Sequence, residues 1–83
     1  MSGRLSKQWA TERIGSSRLL ERGAATEPDL HTAAGMYEMA AHNSSGIALS
    51  DSPPRLRAIA KQMAVRQYLH AIKDFVDFGD LSR

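Results

Sequence analysis

Histidine and carboxylate side chains occur one helical turn apart at two places in this sequence, and such pairs can hold a metal ion or move a proton. Glu38 and His42 form the first pair, with His31 earlier in the same segment. His70 and Asp74 form the second pair. Both have the i,i+4 spacing that brings two side chains together on one face of a helix.

The first group does not converge on a single point. Zinc needs three or four ligands at about 2 Å from the metal, whereas a helix would place His31 about 10 Å along its axis from Glu38. We therefore expect a solvated polar face that carries the Glu38–His42 pair, with no metal ligands and no cofactor.

The second pair has no accompanying nucleophile or substrate-binding motif on which a catalytic base could act. A histidine oriented by a carboxylate can act as a general base, but no nucleophile motif, glycine-rich phosphate loop or H-E-x-x-H sequence accompanies His70 and Asp74. We expect no catalytic residue and no small-molecule substrate, and hence a protein that is not an enzyme.

The composition limits the core that the chain can build. It has 83 residues, of which 42% are hydrophobic, and twelve of these are alanine, which buries little area. No cysteine is present to form a disulfide. Extra stability must therefore come from well-packed helices or from a partner.

The same composition suggests a location. A chain without cysteine suits a reducing compartment, and no stretch has the length of a membrane span or the pattern of a secretory signal. We expect a cytoplasmic protein that does not enter membranes, or one in a host cytoplasm if it is viral.

The longest predicted element is a helix over Pro53 to Phe78, which has no glycine or proline after its first two residues. Ser52 is placed to cap its first turn, where prolines cost nothing because their missing N–H groups have no helical partner. Gly79 is placed to close the helix, with Leu81 folding back on the last turn.

This long helix has two apolar faces that point in different directions. In its first half one face carries Leu56, Ile59, Ala60 and Met63. In its second half the apolar centre moves round the helix to a set in which Val65, Leu69, Ile72 and Val76 have the 4-3-4 spacing typical of helix-on-helix contacts. The predicted partner interface is Val65, Tyr68, Leu69, Ile72 and Val76.

A first helix is predicted from Leu5 or Ser6 to Arg22, with Ser6 as its cap and Gly23 as its stop. Leu5, Trp9, Ser16 and Leu20 share its apolar face, whereas Ile14 points away. Trp9, the only tryptophan, is expected in the core, with an exposed anchor for a partner as the alternative.

A second helix is predicted from Thr26, as cap, to about His42 or Asn43, with Pro28 in its first turn. Its buried face is rich in alanine and consists of Leu30, Ala33, Ala34, Tyr37, Ala40 and Ala41. The turn-forming residues 43–46 are expected to end it, and Ile47 and Leu49 to fold over the edge of the core.

These elements predict an all-α fold: a small three-helix arrangement with two shorter helices and one long C-terminal helix. We expect a single domain over residues 1–83, with an N-terminal arm at 1–5 and a tail at 80–83.

The expected function is that of a protein interaction or assembly module, which docks on a larger protein or associates with itself. The alternative is an accessory protein that binds nucleic acid through basic first and third helices, because residues 1–22 and 53–83 are basic and residues 23–52 are acidic. A basic strip on the long helix would follow the phosphates: Arg55, Arg66 and Lys73.

Overall fold

The computed structural model describes residues 6–81, which form three α-helices with no strand among them: α1 (Lys7–Thr26), α2 (Leu30–Ala48) and α3 (Pro54–Leu81). This confirms the predicted all-α arrangement of two shorter helices and one long C-terminal helix. The predicted arm at 1–5 and the last two residues of the predicted tail lie outside the described residues.

The helices run up, down and up in a thin rod with principal extents of 55 × 17 × 17 Å. The central helix, α2, packs along both of its neighbours, whereas α1 and α3 meet only over a short region. Buried Ala10, Ile14, Ile47, Ala60 and Met63 form the larger core cluster. A second cluster contains Ala24, Tyr37 and Ala71.

Helix α1 begins where the sequence predicts but ends later. The Ser6 hydroxyl accepts a hydrogen bond from the Trp9 N–H at 3.0 Å, which confirms the cap. Gly23 is not a stop, since α1 continues to Thr26. The glycine is explained by packing: a Cβ at Gly23 would lie 2.6 Å from the Met36 side chain of α2.

The buried face of α1 is rotated from the predicted one. Ile14 was expected to point away, but it is 5% exposed and lies in the larger core cluster. Ser17 is buried in place of the predicted Ser16. Its hydroxyl donates to the Ala40 carbonyl of α2. This hydrogen bond explains how a polar residue is buried at a position that the pattern of apolar residues does not predict.

Helix α2 begins later than predicted, because Asp29 and not Thr26 is its cap. The Asp29 carboxylate accepts hydrogen bonds from the His31 N–H and the Thr32 hydroxyl. Thr26 is the last residue of α1, and its hydroxyl donates to backbone carbonyls of that helix. Pro28 therefore lies between the helices and not in the first turn of α2.

Helix α2 also ends later than predicted, at Ala48 and not near His42 or Asn43. The turn formers Asn43 and Ser44 remain helical because their side chains bond to other helices instead of to the local backbone. Ile47 is buried in the core as expected, but Leu49 is 88% exposed and covers nothing.

The predicted buried face of α2 is confirmed, with Leu30 half-buried and its other five members buried.

Helix α3 differs from the prediction at both ends. The Pro53 carbonyl accepts the first helical hydrogen bonds, from the N–H groups of Leu56 and Arg57. The Ser52 hydroxyl lies 2.6 Å from that of Ser50, so Ser52 is not the cap. The helix passes through Gly79 to Leu81, and because Gly79 does not have a positive φ, it neither ends α3 nor lets Leu81 fold back.

Candidate functional site

The outward face of α3 carries four aliphatic side chains that nothing in the described part of the chain covers. We name this set the α3 stripe; its members and their exposed fractions are Val65 (56%), Leu69 (62%), Ile72 (57%) and Val76 (56%). Single exposed aliphatic residues are common on soluble proteins. Four at a 4-3-4 spacing make one continuous apolar strip, which is typical of an interaction surface.

The stripe faces away from the rest of the molecule for a simple geometric reason. The buried residues of α3 are Ala60, Met63, Ala64, Gln67 and Ala71. At about 100° per residue, their centre lies roughly 150° round the helix from the centre of the stripe. Because α1 and α2 both pack on the buried side, neither can reach the stripe.

Tyr68, the fifth predicted interface residue, lies at the margin of the stripe. It is half-buried, and its ring meets the His42 ring of α2 edge-on, with 5.8 Å between centroids. Its hydroxyl is 3.3 Å from the His42 Nδ1 atom. The structure thus brings four of the five predicted residues together, with Tyr68 as a bridge to α2.

A shallow depression lies beside the first half of the stripe, among basic side chains. Its lining includes Val65 and Leu69 together with Lys61, Arg66 and Lys73. Two aliphatic side chains of the stripe and three cationic side chains therefore share this surface.

The basic strip is partly neutralised within the chain. Arg66 donates two hydrogen bonds to Glu21 of α1, from Nε at 3.0 Å and from Nη2 at 2.8 Å. Lys73 Nζ lies 3.0 Å from an Asp77 carboxylate oxygen, and this contact raises the pKa of Lys73. Arg55 is exposed. Two of its three residues therefore already have an anionic partner, which reduces the positive charge offered to a phosphate.

A polar network behind the stripe joins all three helices. Gln67, fully buried, accepts a hydrogen bond from the Ser44 hydroxyl at 2.7 Å and donates one to Glu21 Oε1 at 2.9 Å. The bond from Arg66 lowers the pKa of Glu21, with a smaller contribution from Gln67, and partial burial acts in the opposite direction. This network holds α3 in one rotation about its axis and so keeps the stripe outward.

This network was not predicted from the sequence, although a signal was present. Gln67 lies one turn after Met63 and one turn before Ala71, on the face that the apolar residues mark as buried. A glutamine in that position needs hydrogen-bond partners on the facing helices.

The histidines that could have served a metal or a proton transfer contact aromatic rings between α2 and α3. His31 meets Phe75 and Phe78, with centroids 5.9 and 5.1 Å away. His70 stacks on Tyr37 at 4.8 Å with 15° between the ring planes. Within residues 6–81, no three His, Asp or Glu side chains are grouped to hold a metal ion.

Trp9 lies at the end of the rod, against the larger core cluster, and is half-buried. The Arg13 guanidinium lies 5.4 Å from the centre of its ring, a geometry typical of a cation–π contact. Trp9 is therefore a packing residue that keeps one exposed edge, well separated along the chain from the α3 stripe.

Comparison with known proteins adds no further assignment. The sequence matches no family model, and neither a curated protein nor a solved structure is significantly similar to the chain. Among the helices of residues 6–81, none is long and apolar enough to cross a membrane.

Proposed function

We propose that the protein is a non-catalytic helical interaction module whose docking surface is the α3 stripe. The observation that supports this proposal is the exposure of all four aliphatic side chains of the stripe by more than half, on the face of α3 opposite to the core. Covering them would remove apolar surface from water, which is the main driving force for association between proteins.

The size of the stripe indicates a reversible complex. Completing the burial of four aliphatic side chains that are already about half covered would stabilise a complex by about 4 kcal/mol. Association itself costs roughly 4–15 kcal/mol in lost freedom of motion. The rim must therefore contribute as well, and Phe75, which is 39% exposed, lies beside the stripe to do so.

The shape of the fold explains why such a surface exists. The radius of gyration is 14.2 Å, compared with about 12 Å for a compact domain of this length. In a rod of only three helices, no fourth helix is present among the described residues to cover the outer face of α3. A partner would supply that missing layer.

A matched pair of variants tests this proposal. Leu69→Asp places a charge in the centre of the stripe and should weaken association more than about tenfold. Leu19→Asp changes a leucine of α1 that is similarly exposed, at 67%, and should leave association unchanged. Molar mass in solution, both for the isolated chain and for the chain recovered from its native cells, measures the effect.

Far-ultraviolet circular dichroism serves as the control for folding. Both aspartate variants should keep the wild-type helicity, because both leucines are exposed. Loss of helicity in Leu69→Asp would place that side chain in the monomer core. A wild-type chain that stays monomeric and recovers no partner would contradict the proposed function.

A further inference from the structure

The α3 stripe is symmetric about its own midpoint. Val65 and Val76 are equally far from the point between His70 and Ala71, and Leu69 and Ile72 are also equally far from it. A second stripe laid antiparallel therefore places each Val65 opposite a Val76, and Leu69 opposite Ile72. Such reciprocal contacts are what a two-fold symmetric interface requires.

The charges of α3 are also arranged for antiparallel pairing. Residues 54–66 hold four basic side chains and no acid, namely Arg55, Arg57, Lys61 and Arg66. Residues 67–81 hold three acids against one base, namely Asp74, Asp77, Asp80 and Lys73. In two antiparallel copies centred on the midpoint of the stripe, residues 60–66 of each helix lie beside residues 75–81 of the other, so Lys61 of one copy comes beside Asp80 of the other. Two parallel copies would instead align like charges.

We infer that the occupant of the α3 stripe is the same stripe of a second copy, packed antiparallel across a two-fold axis near the point between His70 and Ala71. This inference rests on the proposed function and adds to it the identity and direction of the partner helix.

The rims of the stripe are compatible with this arrangement. On one rim, Phe75 of each copy comes within reach of Tyr68 of the other, which gives two symmetry-related aromatic contacts. On the other rim, Arg66 approaches Lys73 of the second copy. Each of these cations has an anion of its own chain beside it, Glu21 for Arg66 and Asp77 for Lys73, which partly neutralises the positive charges where they meet.

Cysteine cross-linking tests both the partner and its direction, because the chain has no cysteine of its own. In the antiparallel pair, the thiol of a Val65→Cys chain faces the thiol of a Val76→Cys chain. In a pair of two Val65→Cys chains, the two thiols are instead separated by about eleven residues of helix, or about 16 Å. A disulfide needs Cα atoms about 4.4–6.8 Å apart, so that pair cannot be bridged.

Mild oxidation of the mixture of Val65→Cys and Val76→Cys should therefore yield a disulfide-linked dimer. Oxidation of either variant alone should yield none. Leu19→Cys, on the exposed surface of α1, is the control for random collisions and should give no dimer with any of them. Both valines are exposed, so each variant should keep the wild-type helicity. Should one of them lose it, sedimentation of the wild-type chain still separates a dimer from a monomer.

Other outcomes overturn the inference in distinguishable ways. Efficient cross-linking of Val65→Cys with itself would show parallel pairing and would retain the proposed docking surface. A monomeric chain that loses a co-purifying protein in Leu69→Asp would show a different partner for the same surface. No cross-link, no dimer and no partner would defeat this inference and the proposed function together.

Discussion

At the scale of single residues, the buried polar network determines which way α3 faces. Gln67 is held from two directions, by Ser44 of α2 and by Glu21 of α1. A rotation of α3 by one residue would break both bonds inside the fold, where unpaired polar groups cost about 1–3 kcal/mol each. The rotation that keeps Gln67 bonded is the one that exposes the stripe.

Replacing Gln67 should therefore destabilise the fold strongly. Gln67→Ala leaves a cavity and removes a hydrogen-bond partner from Ser44 and from Glu21, for an expected loss of about 3 kcal/mol in the free energy of unfolding. Gln62→Ala, at an exposed position of the same helix, should change it by less than about 0.5 kcal/mol. Urea denaturation measures both, and equal effects would show that the network contributes little.

The lowered pKa of Glu21 predicts how stability depends on pH. Its main cause is the hydrogen bond from Arg66, and the folded state therefore binds a proton at Glu21 less readily than the unfolded state, whose carboxyl titrates near 4.5. The stabilising contribution is complete above that pH and is lost as the pH falls through the lower pKa of the folded state.

Wild-type protein should accordingly lose stability more steeply than Glu21→Gln as the pH falls below about 4.5. Parallel curves of unfolding free energy against pH for the two proteins would contradict the role given to the Arg66–Glu21 pair. Glu38→Gln, which changes an exposed carboxylate of α2, is the control and should follow the wild-type curve.

At the scale of elements, the number and order of the helices could be predicted from sequence, but most of their ends could not. The alanine-rich face of α2 and the first apolar face of α3 have the regular spacing that identifies a helix and its buried side. Glycine and serine misled the prediction at Gly23, Ser44 and Gly79, because local turn preference is weaker than the tertiary contacts that prolong a helix.

Gly46 gives a direct test of the corrected end of α2. The sequence alone favours a turn there, whereas in the structure Gly46 is helical, lacks a positive φ, and has open space where a Cβ would go. Gly46→Ala should therefore raise the free energy of unfolding by about 1 kcal/mol.

The matched substitution is Gly23→Ala, which gains the same helix propensity but must displace the Met36 side chain. It should stabilise the fold less than Gly46→Ala in thermal or urea unfolding. Destabilisation by Gly46→Ala would indicate a left-handed glycine and an earlier end of α2.

At the scale of the whole molecule, a surplus apolar face on α3 could be predicted from sequence, because two apolar faces on one helix exceed what two short, alanine-rich helices can cover. Which of the two faces is internal could not be predicted. The sequence carries a signal for the burial of Gln67 but none for its partners Ser44 and Glu21, since hydrogen bonds between helices depend on rotations and registers that periodicity does not fix. The burial of Ile14 could not be predicted for a similar reason. It depends on where α2 lies and not on the apolar pattern of α1 alone.

The most direct test of the α3 stripe as a docking surface is sedimentation equilibrium of the wild-type chain and of Leu69→Asp over a wide range of concentration. The proposed antiparallel dimer predicts a reversible monomer–dimer equilibrium for the wild type, and a monomer of unchanged helicity for the variant. A wild-type chain that remains monomeric throughout, and that binds no other protein through Leu69, would contradict the account.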